Sequence, residues 1–576
     1  MIRLHVLLLL LCLGIGCSLP DPEREPVQWI ELTDHINPFI GTGGTGFQVG
    51  SSFPGAARPL GLVKASPDTA DALGLAYGAQ RGGGYHYDDV HIQGFSHMHL
   101  QGVGLTDYGL VSLMPMDGPP EGGTEPQDTM ARFSHDNETA RPGYYSVVLD
   151  DPAISVELTV TDHTALHRIR YPETVERPVL QIDPSKLMGT GRLLSASLDV
   201  QPESSRVIGH LRQDGEMAKP FTVWFAIEFD QSPSSWGSWT NNSLTADATE
   251  VGSTVDDETD TEQIADRVGA WLEFDSREVH VRVALSTVDA QGALTNLAQE
   301  HLGFDLEADS DAARAAWSDA MCGIRVAGGT EAERTQFASA LYRTLLMPTL
   351  FSDSDGRYRG FDDQIHESSG HPYYTDFSLW DSYRTTHPLY TMLWPDRHRA
   401  MLRSLLRMAE QGGNLPLWPM ATTDGEFMLG SPAHVVVGEA ALKWLGDFEE
   451  AALIEFAVAD ALGENDPPYA ARPDIEVYEA HHYYPGDEIG RSVSWTLEVA
   501  IADYALSKVA ARATDRAWLS ERSGWWANLY DPELGYIHAR NSDGSFAEMA
   551  SEGAWLDEFA EGNARQYLWH VPHDPE

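Results

Sequence analysis

From about residue 28 to about residue 290 the apolar positions of the chain follow a two-residue period. "FTVWFAIEFD" (221–230), "AWLEFD" (270–275) and "EVHVRVALST" (278–287) alternate or run apolar, and they are rich in β-branched and aromatic side chains. Such runs bury one face of a strand. Clusters of Gly, Pro, Asp and Asn separate them at the spacing of a sandwich. Residues 28–290 therefore read as an antiparallel β-sandwich domain. The acidic, Ser/Thr-rich stretch "TADATEVGSTVDDETDTEQ" (245–263) reads as a solvated loop within it.

Near residue 290 the period changes from two to about three and a half. "DAQGALTNLAQEHL" and "SDAARAAWSDAM" carry helical spacing and form a connector over residues 291–325. "TEAERTQFASALYRTLLMPTLF" then opens on a Thr-x-x-Glu cap. After it come "DRHRAMLRSLLRMAEQGG", "SPAHVVVGEAALKWLGDF", "SVSWTLEVAIADYALSKVAARA" and "DRAWLSERSGWWANLYD", joined by loops rich in Trp, Tyr, His and Asp. Residues 326–576 read as an array of αα-hairpins, a superhelix or an α/α toroid, whose loops at one rim build a site.

The first seventeen residues stand apart. "MIRLHVLLLLLCLGIGC" has Arg3, an apolar run from Val6 and small residues before Cys17. That is the build of a secretory signal, too short to span a bilayer comfortably. "LGIGC" is similar to a bacterial lipobox, with its leucine one position early, and predicts lipidation of Cys17. The chain is then exported to the bacterial periplasm or the cell surface, and meets a membrane only through that N-terminal anchor. A lipidated Cys17 cannot pair, so Cys322 stands alone, without a disulfide framework. Its simplest reading is a buried apolar residue.

Composition narrows the partners. The chain carries 87 acidic against 38 basic residues, a net charge of −49. Nucleic acid and anionic lipid both require positive patches and are excluded as partners. A neutral substrate, or a cation held by carboxylates, fits. The 16 tryptophans supply cores and, beyond those, flat platforms for the apolar faces of sugar rings.

Candidate chemistry lies in a few loops. The glycine-rich stretch 36–69 lacks the GxxxxGK[ST] signature and the strand–loop–helix context of a phosphate loop, so it reads as a packed loop. His97 and His99 lie two apart, as do His86 and Asp88; on a strand each pair shares a face. A His-x-His zinc site would need a third ligand, and hydrogen bonding or packing is the alternative reading. Asp353, Asp355 and Gly356 suggest either a calcium turn or a plain Asx turn, without the acid twelve residues on that an EF-hand supplies. Trp380 and Arg384 fall at i, i+4 with Asp381 beside them. An aromatic platform, a guanidinium and a carboxylate suit a sugar, and an internal ion pair is the plainer reading. The segment "EGNARQYLWHVPHDPE" (561–576) places Tyr567, Trp569, Asn563, Gln566 and two histidines together, with His573 and Asp574 adjacent.

The motifs "NPFIGTGG", "PGAARPLGLVKASPDT", "GYHYDD…GFSHMHLQGVG", "YTDFSLWDSYRTTHPLYTMLWPDR", "LPLWPM…GSPA" and "EGNARQY–W–VPHD" together resemble the glycoside hydrolase family 92 α-mannosidases, from about residue 34 to the end. The resemblance implies an N-terminal β-sandwich packed on an (α/α)6 toroid. It also implies exo-acting, inverting, Ca2+-dependent release of mannose from an α-mannoside oligosaccharide or glycoprotein glycan. His97, Trp380, Asp381, Arg384, Asn563 and Gln566 match motif positions and are the expected sugar-binding residues. In the family pattern the general acid, a Glu, and the base, an Asp, sit in "HGNEPSHH"-like and "GNDDxGQMSAW"-like stretches that follow the VPHD segment. Neither stretch occurs in this sequence, so the resemblance places both groups beyond Glu576. It assigns no catalytic acid, base or metal ligand to any residue here, and the toroid is expected to be incomplete at its C-terminal end. The resemblance argues against His573 and Asp574 as an acid–base pair. Two alternatives stay open: a non-catalytic protein that retains the mannose pocket, and a different toroid glycosidase that uses Glu498 or Asp503 with Asp381.

Overall fold

The computed structural model describes residues 28–575, apart from 46–49, 77–80, 103, 105, 301–302, 444 and 466–471. The leader and Cys17, with their lipidation, lie outside the described residues. So does Glu576.

The two-residue period becomes two antiparallel sheets. One runs in the order Glu250–Thr254, Arg192–Gln201, Arg206–Asp214, Phe221–Phe229, Glu278–Ser286, Thr164–Arg170, Ser155–Val160, Tyr144–Leu149, Ala131–Arg141. The other runs Ser243–Ala246, Ser235–Thr240, Val268–Glu273, Pro178–Asp183, Ser112–Asp117, His91–Ser96, Lys64–Ala70. Ala131–Arg141 pairs with strands of both sheets and joins them. Arg206–Asp214 alternates half-buried and buried side chains along its whole length, as a strand with one face on a core must. The expected loop at 245–263 is corrected in part. Ser243–Ala246 and Glu250–Thr254 are edge strands, the latter paired residue for residue with Ser195–Asp199. Their side chains remain mostly exposed, so the polar composition describes their solvation and conceals the backbone ladder.

Beyond the single α-helical turn Pro126–Thr129, the α-helices begin at Ala290. Ala290–Glu300 lies on Phe221–Phe229 and Glu278–Ser286, and Leu306–Met321 lies on Ser155–Val160, so both cover the first sheet from outside. Glu331–Arg343 starts with a complete capping box between Thr330 and Glu333. Pro395–Gly412 has proline in its first turn and stops at Gly413, whose φ of 88° favours glycine. Glu450–Leu462, a helix that the sequence pattern had not marked, packs against both Pro395–Gly412 and Pro432–Leu442. Ser492–Ser507 sits between Pro432–Leu442 and Ala513–Arg522. Fourteen of its residues are buried, which explains why it is apolar on every side. The chain is thus an N-terminal antiparallel β-sheet domain followed by a helical domain. No helix among the described residues is long and apolar enough to cross a membrane.

Buried polar contacts tie the halves together. Tyr108 Oη donates to Asp376 Oδ1 at 2.7 Å, Lys64 Nζ to Thr349 Oγ1 at 3.0 Å, and Trp317 Nε1 to the Ala57 carbonyl at 2.7 Å. Cys322, expected to be buried, is exposed: it follows the last turn of Leu306–Met321, where the chain leaves the sheet.

Candidate active site

The helical domain gathers one buried carboxylate and four donors from three distant stretches. Glu498, in the middle of Ser492–Ser507, is 2 % exposed. Its Oε1 accepts from Trp380 Nε1 at 3.1 Å, Arg384 Nη2 at 2.5 Å and His570 Nε2 at 3.0 Å; its Oε2 accepts from Tyr383 Oη at 2.6 Å. Burial by itself would raise this carboxyl. The hydrogen bond and charge of His570, with the Arg384 guanidinium and the Tyr383 hydroxyl, outweigh it and hold Glu498 below the usual carboxylate range. A carboxylate this fully engaged orients its neighbours and does not move protons.

Local backbone geometry makes the convergence possible. Asp376 and Ser378 both adopt left-handed conformations, with φ of 59° and 47°, and they turn the chain into the single helical turn Leu379–Ser382. Asp376, fully buried, fixes that turn by accepting from Tyr108 Oη and the Ala421 amide. Trp380 is therefore presented inward. Arg384 folds back, donating Nη1 to the Trp380 carbonyl at 2.7 Å, with its guanidinium 4.8 Å from the Trp380 ring centre and 4.5 Å from that of Tyr383. Gly430, at φ 82°, passes directly under Glu498: a Cβ there would stand 2.6 Å from the Glu498 Cβ.

Two further carboxylates stand at the solvent edge. Asp381 accepts from Ser378 Oγ at 2.5 Å, and burial of its carboxyl raises its pKa against the opposing effects of Ser378, Arg384 and Trp418. Glu561 is raised as well, first by burial and then by the negative charge of Asp381, with Arg491 opposing. Glu561 thus holds its proton to a higher pH than a free glutamate does, and it faces a second acid across a rim that also carries the half-exposed Arg384. The arrangement combines a rigid aromatic and cationic wall with two carboxyls that are both raised above the usual carboxylate range.

The remaining expected site residues fall in different places. His97 is fully buried in the β-domain; its Nδ1 meets the Val111 carbonyl at 2.6 Å and its Nε2 meets His167 Nε2 at 2.7 Å. His99 is engaged by Ser96, Asp68 and the Lys64 carbonyl. Asn563 caps the short helix Ala564–Tyr567 by accepting from the Arg565 and Gln566 amides, while Gln566 itself is exposed. Asp503 is bound by Arg472 and Arg522 in the interior, and is no freer than Glu498 to serve as a catalytic acid. His573 Nε2 meets the Ser523 carbonyl, and burial lowers its pKa. Asp353 accepts from Ser286 and Asn296, while Asp355 closes an Asx turn onto the Arg357 amide.

Tyr383, His570 and Glu561 were not singled out from sequence. Tyr383 is next to Arg384 and could have been. His570 lies 72 residues from its partner Glu498, beyond any local signal. The expectation that the acid and base both lie beyond Glu576 left Glu561 without a role. Its carboxyl is raised by partial burial and by Asp381, as that of Asp381 is raised by burial.

Calcium needs a shell of six to eight oxygens. Among the described residues no group of three or more His, Cys, Asp or Glu side chains is placed to hold a metal ion, and the oxygens of Glu498 are already satisfied by protein donors. The side chains present do not fit a calcium cage.

Comparison with known proteins agrees with this architecture. The glycosyl hydrolase family 92 N-terminal domain matches residues 35–286 and the glycosyl hydrolase family 92 catalytic domain matches residues 292–576. A family 92 α-mannosidase of Bacteroides thetaiotaomicron, also solved in complex with mannoimidazole, superposes with a TM-score of 0.84 at 26 % identity, over 95 % of this chain and 72 % of that one. A family 92 inverting mannosidase of the same organism gives a TM-score of 0.84 at 25 % identity, over 95 % and 71 %. An uncharacterized secreted glycosidase of Arthroderma benhamiae is 25 % identical, over 95 % of this chain and 68 % of its own length.

Proposed function

This chain belongs to glycoside hydrolase family 92 and is a glycoside hydrolase of α-mannosidase type, and from that premise we propose that it releases single mannose residues, with inversion, from the ends of α-mannosides such as N-glycans or mannans. The observation that carries the reading is the convergence of Trp380, Tyr383, Arg384 and His570 on Glu498 beneath a rim holding Asp381 and Glu561.

Each group has a physical task. Glu498 fixes the orientation of Arg384 and Trp380, so that a sugar meets an aromatic edge and a guanidinium that need no reorganisation. Asp381, beside that wall, accepts from sugar hydroxyls. Glu561, whose carboxyl is raised by partial burial and by Asp381, is proposed as the group that protonates the leaving oxygen. Inversion also needs a base on the opposite face of the sugar, with room for a water between; that role is assigned to none of the described residues. His97, Asn563 and Gln566 remain in the proposal as groups that shape the pocket. A calcium requirement is proposed on the family resemblance alone, with no ligand assigned and no step routed through the ion. The reaction is placed outside the cytoplasm, on the reading of residues 1–17 as an export signal and the secreted relative; lipidation of Cys17 belongs to the same proposal.

The test is hydrolysis of α-mannobiose and of an aryl α-mannoside, followed by NMR. β-Mannose is expected as the first-formed product. Glu561→Gln is expected to lower mannobiose hydrolysis by about 10²- to 10⁴-fold, with a much smaller loss for an aryl leaving group that needs no proton. Equal losses on the two substrates would remove Glu561 from the acid role. Chelation by EDTA is expected to abolish turnover, and added calcium to restore it. Binding of mannosides with no turnover under any condition would favour the non-catalytic alternative.

A further inference from the structure

We propose that the helical domain carries a second, non-catalytic binding site for a neutral hexose unit of a glycan, in the cleft between Pro395–Gly412 and the small hairpin formed by Arg357–Arg359 and Ile365–Glu367. The cleft has a volume of about 520 Å³, and none of its lining residues belongs to the Glu498 cluster or its rim. Pockets of a few hundred Å³ are the size that holds a small ligand.

Its floor is unusual. Tyr373 stacks on Tyr358 with ring centres 3.9 Å apart and an angle of 18°, and His366 stacks over Tyr358 at 5.6 Å. Tyr373 is only 2 % exposed, yet its hydroxyl has no hydrogen-bond partner, whereas the Tyr358 hydroxyl accepts from Gln411 Nε2 at 2.9 Å. Asp362, whose charge reaches the Tyr373 hydroxyl, lines the same cleft. A buried hydroxyl left unpaired is unfavourable by about 1–3 kcal/mol, and buried polar groups without partners are few in folded proteins. A ligand hydroxyl would satisfy this one.

The walls define the ligand class. Arg407 bridges Glu410 and Glu449, and Arg403 Nη1 lies 3.3 Å from His371 Nδ1. Asp362 is held below the usual carboxylate range, because the His366 hydrogen bond outweighs burial, and it can only accept. Donors and acceptors therefore alternate around the cleft, with both signs of charge paired off. An anion would meet the carboxylates and a cation the guanidinium groups. A ring of hydroxyls, each able to donate and to accept, meets both. Asp362 acts here only as an acceptor, and the cleft is proposed to bind rather than cleave.

The choice of probe rests on the glycosidase reading, and the experiment keeps the two apart. Wild type, Tyr373→Phe, Arg407→Ala and Arg384→Ala are run by affinity electrophoresis through gels containing α-mannan, β-glucan or no polysaccharide, with aryl α-mannoside hydrolysis measured in parallel. Wild type and Arg384→Ala are expected to be retarded in mannan. Tyr373→Phe should weaken that retention about five- to tenfold, the size of one lost hydrogen bond, with hydrolysis and Tm unchanged. Arg407→Ala should weaken it as well. Retention in β-glucan that disappears in Tyr373→Phe would support the site while showing that mannose is not its sugar, whatever the hydrolysis assay gives. Retention equal in wild type and Tyr373→Phe, or retention lost only in Arg384→Ala, or no retention in any gel, overturns the proposal.

Discussion

At the scale of single residues, the site depends on Glu498 being charged and saturated. Isosteric replacement by glutamine keeps an acceptor for Tyr383 but removes the charge that anchors Arg384 and His570. Hydrogen bonds to a charged group contribute about 1.5–3 kcal/mol. Glu498→Gln is therefore expected to lower kcat/KM by about ten- to a hundredfold with little loss of secondary structure, as read by steady-state kinetics and circular dichroism. A wild-type rate would show that orientation of Arg384 does not limit the reaction. Trp380, Asp381 and Arg384 were legible in the sequence because a one-turn spacing places them together. Glu498 entered the sequence reading only as a candidate catalytic carboxylate of an alternative toroid glycosidase, since its anchoring role is set by partners more than a hundred positions upstream and by His570 downstream. Glu561 shows the reverse limit. It heads the conspicuous C-terminal segment, but its raised carboxyl depends on partial burial and on the charge of Asp381, which no local pattern encodes.

At the scale of elements, the junction between sheet and helices concentrates coupled charges. His163, on the turn before Thr164–Arg170, places Nδ1 2.5 Å from Glu300 Oε1 at the end of Ala290–Glu300, and its Nε2 2.7 Å from the Ser352 carbonyl. Burial opposes its charge, but Glu300, the Ser352 carbonyl and Asp162 raise it to about 9. The folded pKa lies above the reference of 6.5, so this stabilisation is complete below pH 6.5 and fades as pH rises through about 9. Removing one partner of such a pair costs about 3–5 kcal/mol. His163→Gln is expected to lower Tm strongly at pH 6, with the gap to wild type narrowing by pH 9.5 in scanning calorimetry. A gap independent of pH would mean that His163 is neutral in the folded protein. The sequence marked the helix Ala290–Glu300 through its own hydrophobic period, and covered Thr164–Arg170 only as part of the β-rich half. It gave no sign that they meet, and it concealed two edge strands within 245–263, because exposed strands need no apolar face.

At the scale of the whole molecule, 38 basic residues against 87 acidic ones leave strong self-repulsion, which compaction worsens and salt screens. Tm is expected to rise between 10 mM and 300 mM NaCl; a flat or falling profile would show that the paired clusters already neutralise the surface locally. The same excess of acid suits a neutral or cation-assisted substrate and disfavours polyanions. What the sequence by itself determined was the order of the two domains, their classes, the family and the residue types on offer, because hydrophobic period, capping signals and ordered motifs are local properties of the chain. What only the tertiary structure decided was how the acids divide their work. Glu498 and Asp503 are locked by buried cations and donors, the Glu561 carboxyl is raised, and Asp362 and the unpaired Tyr373 hydroxyl border a second cleft. The division follows from desolvation and from partners that only the fold brings within hydrogen-bonding distance.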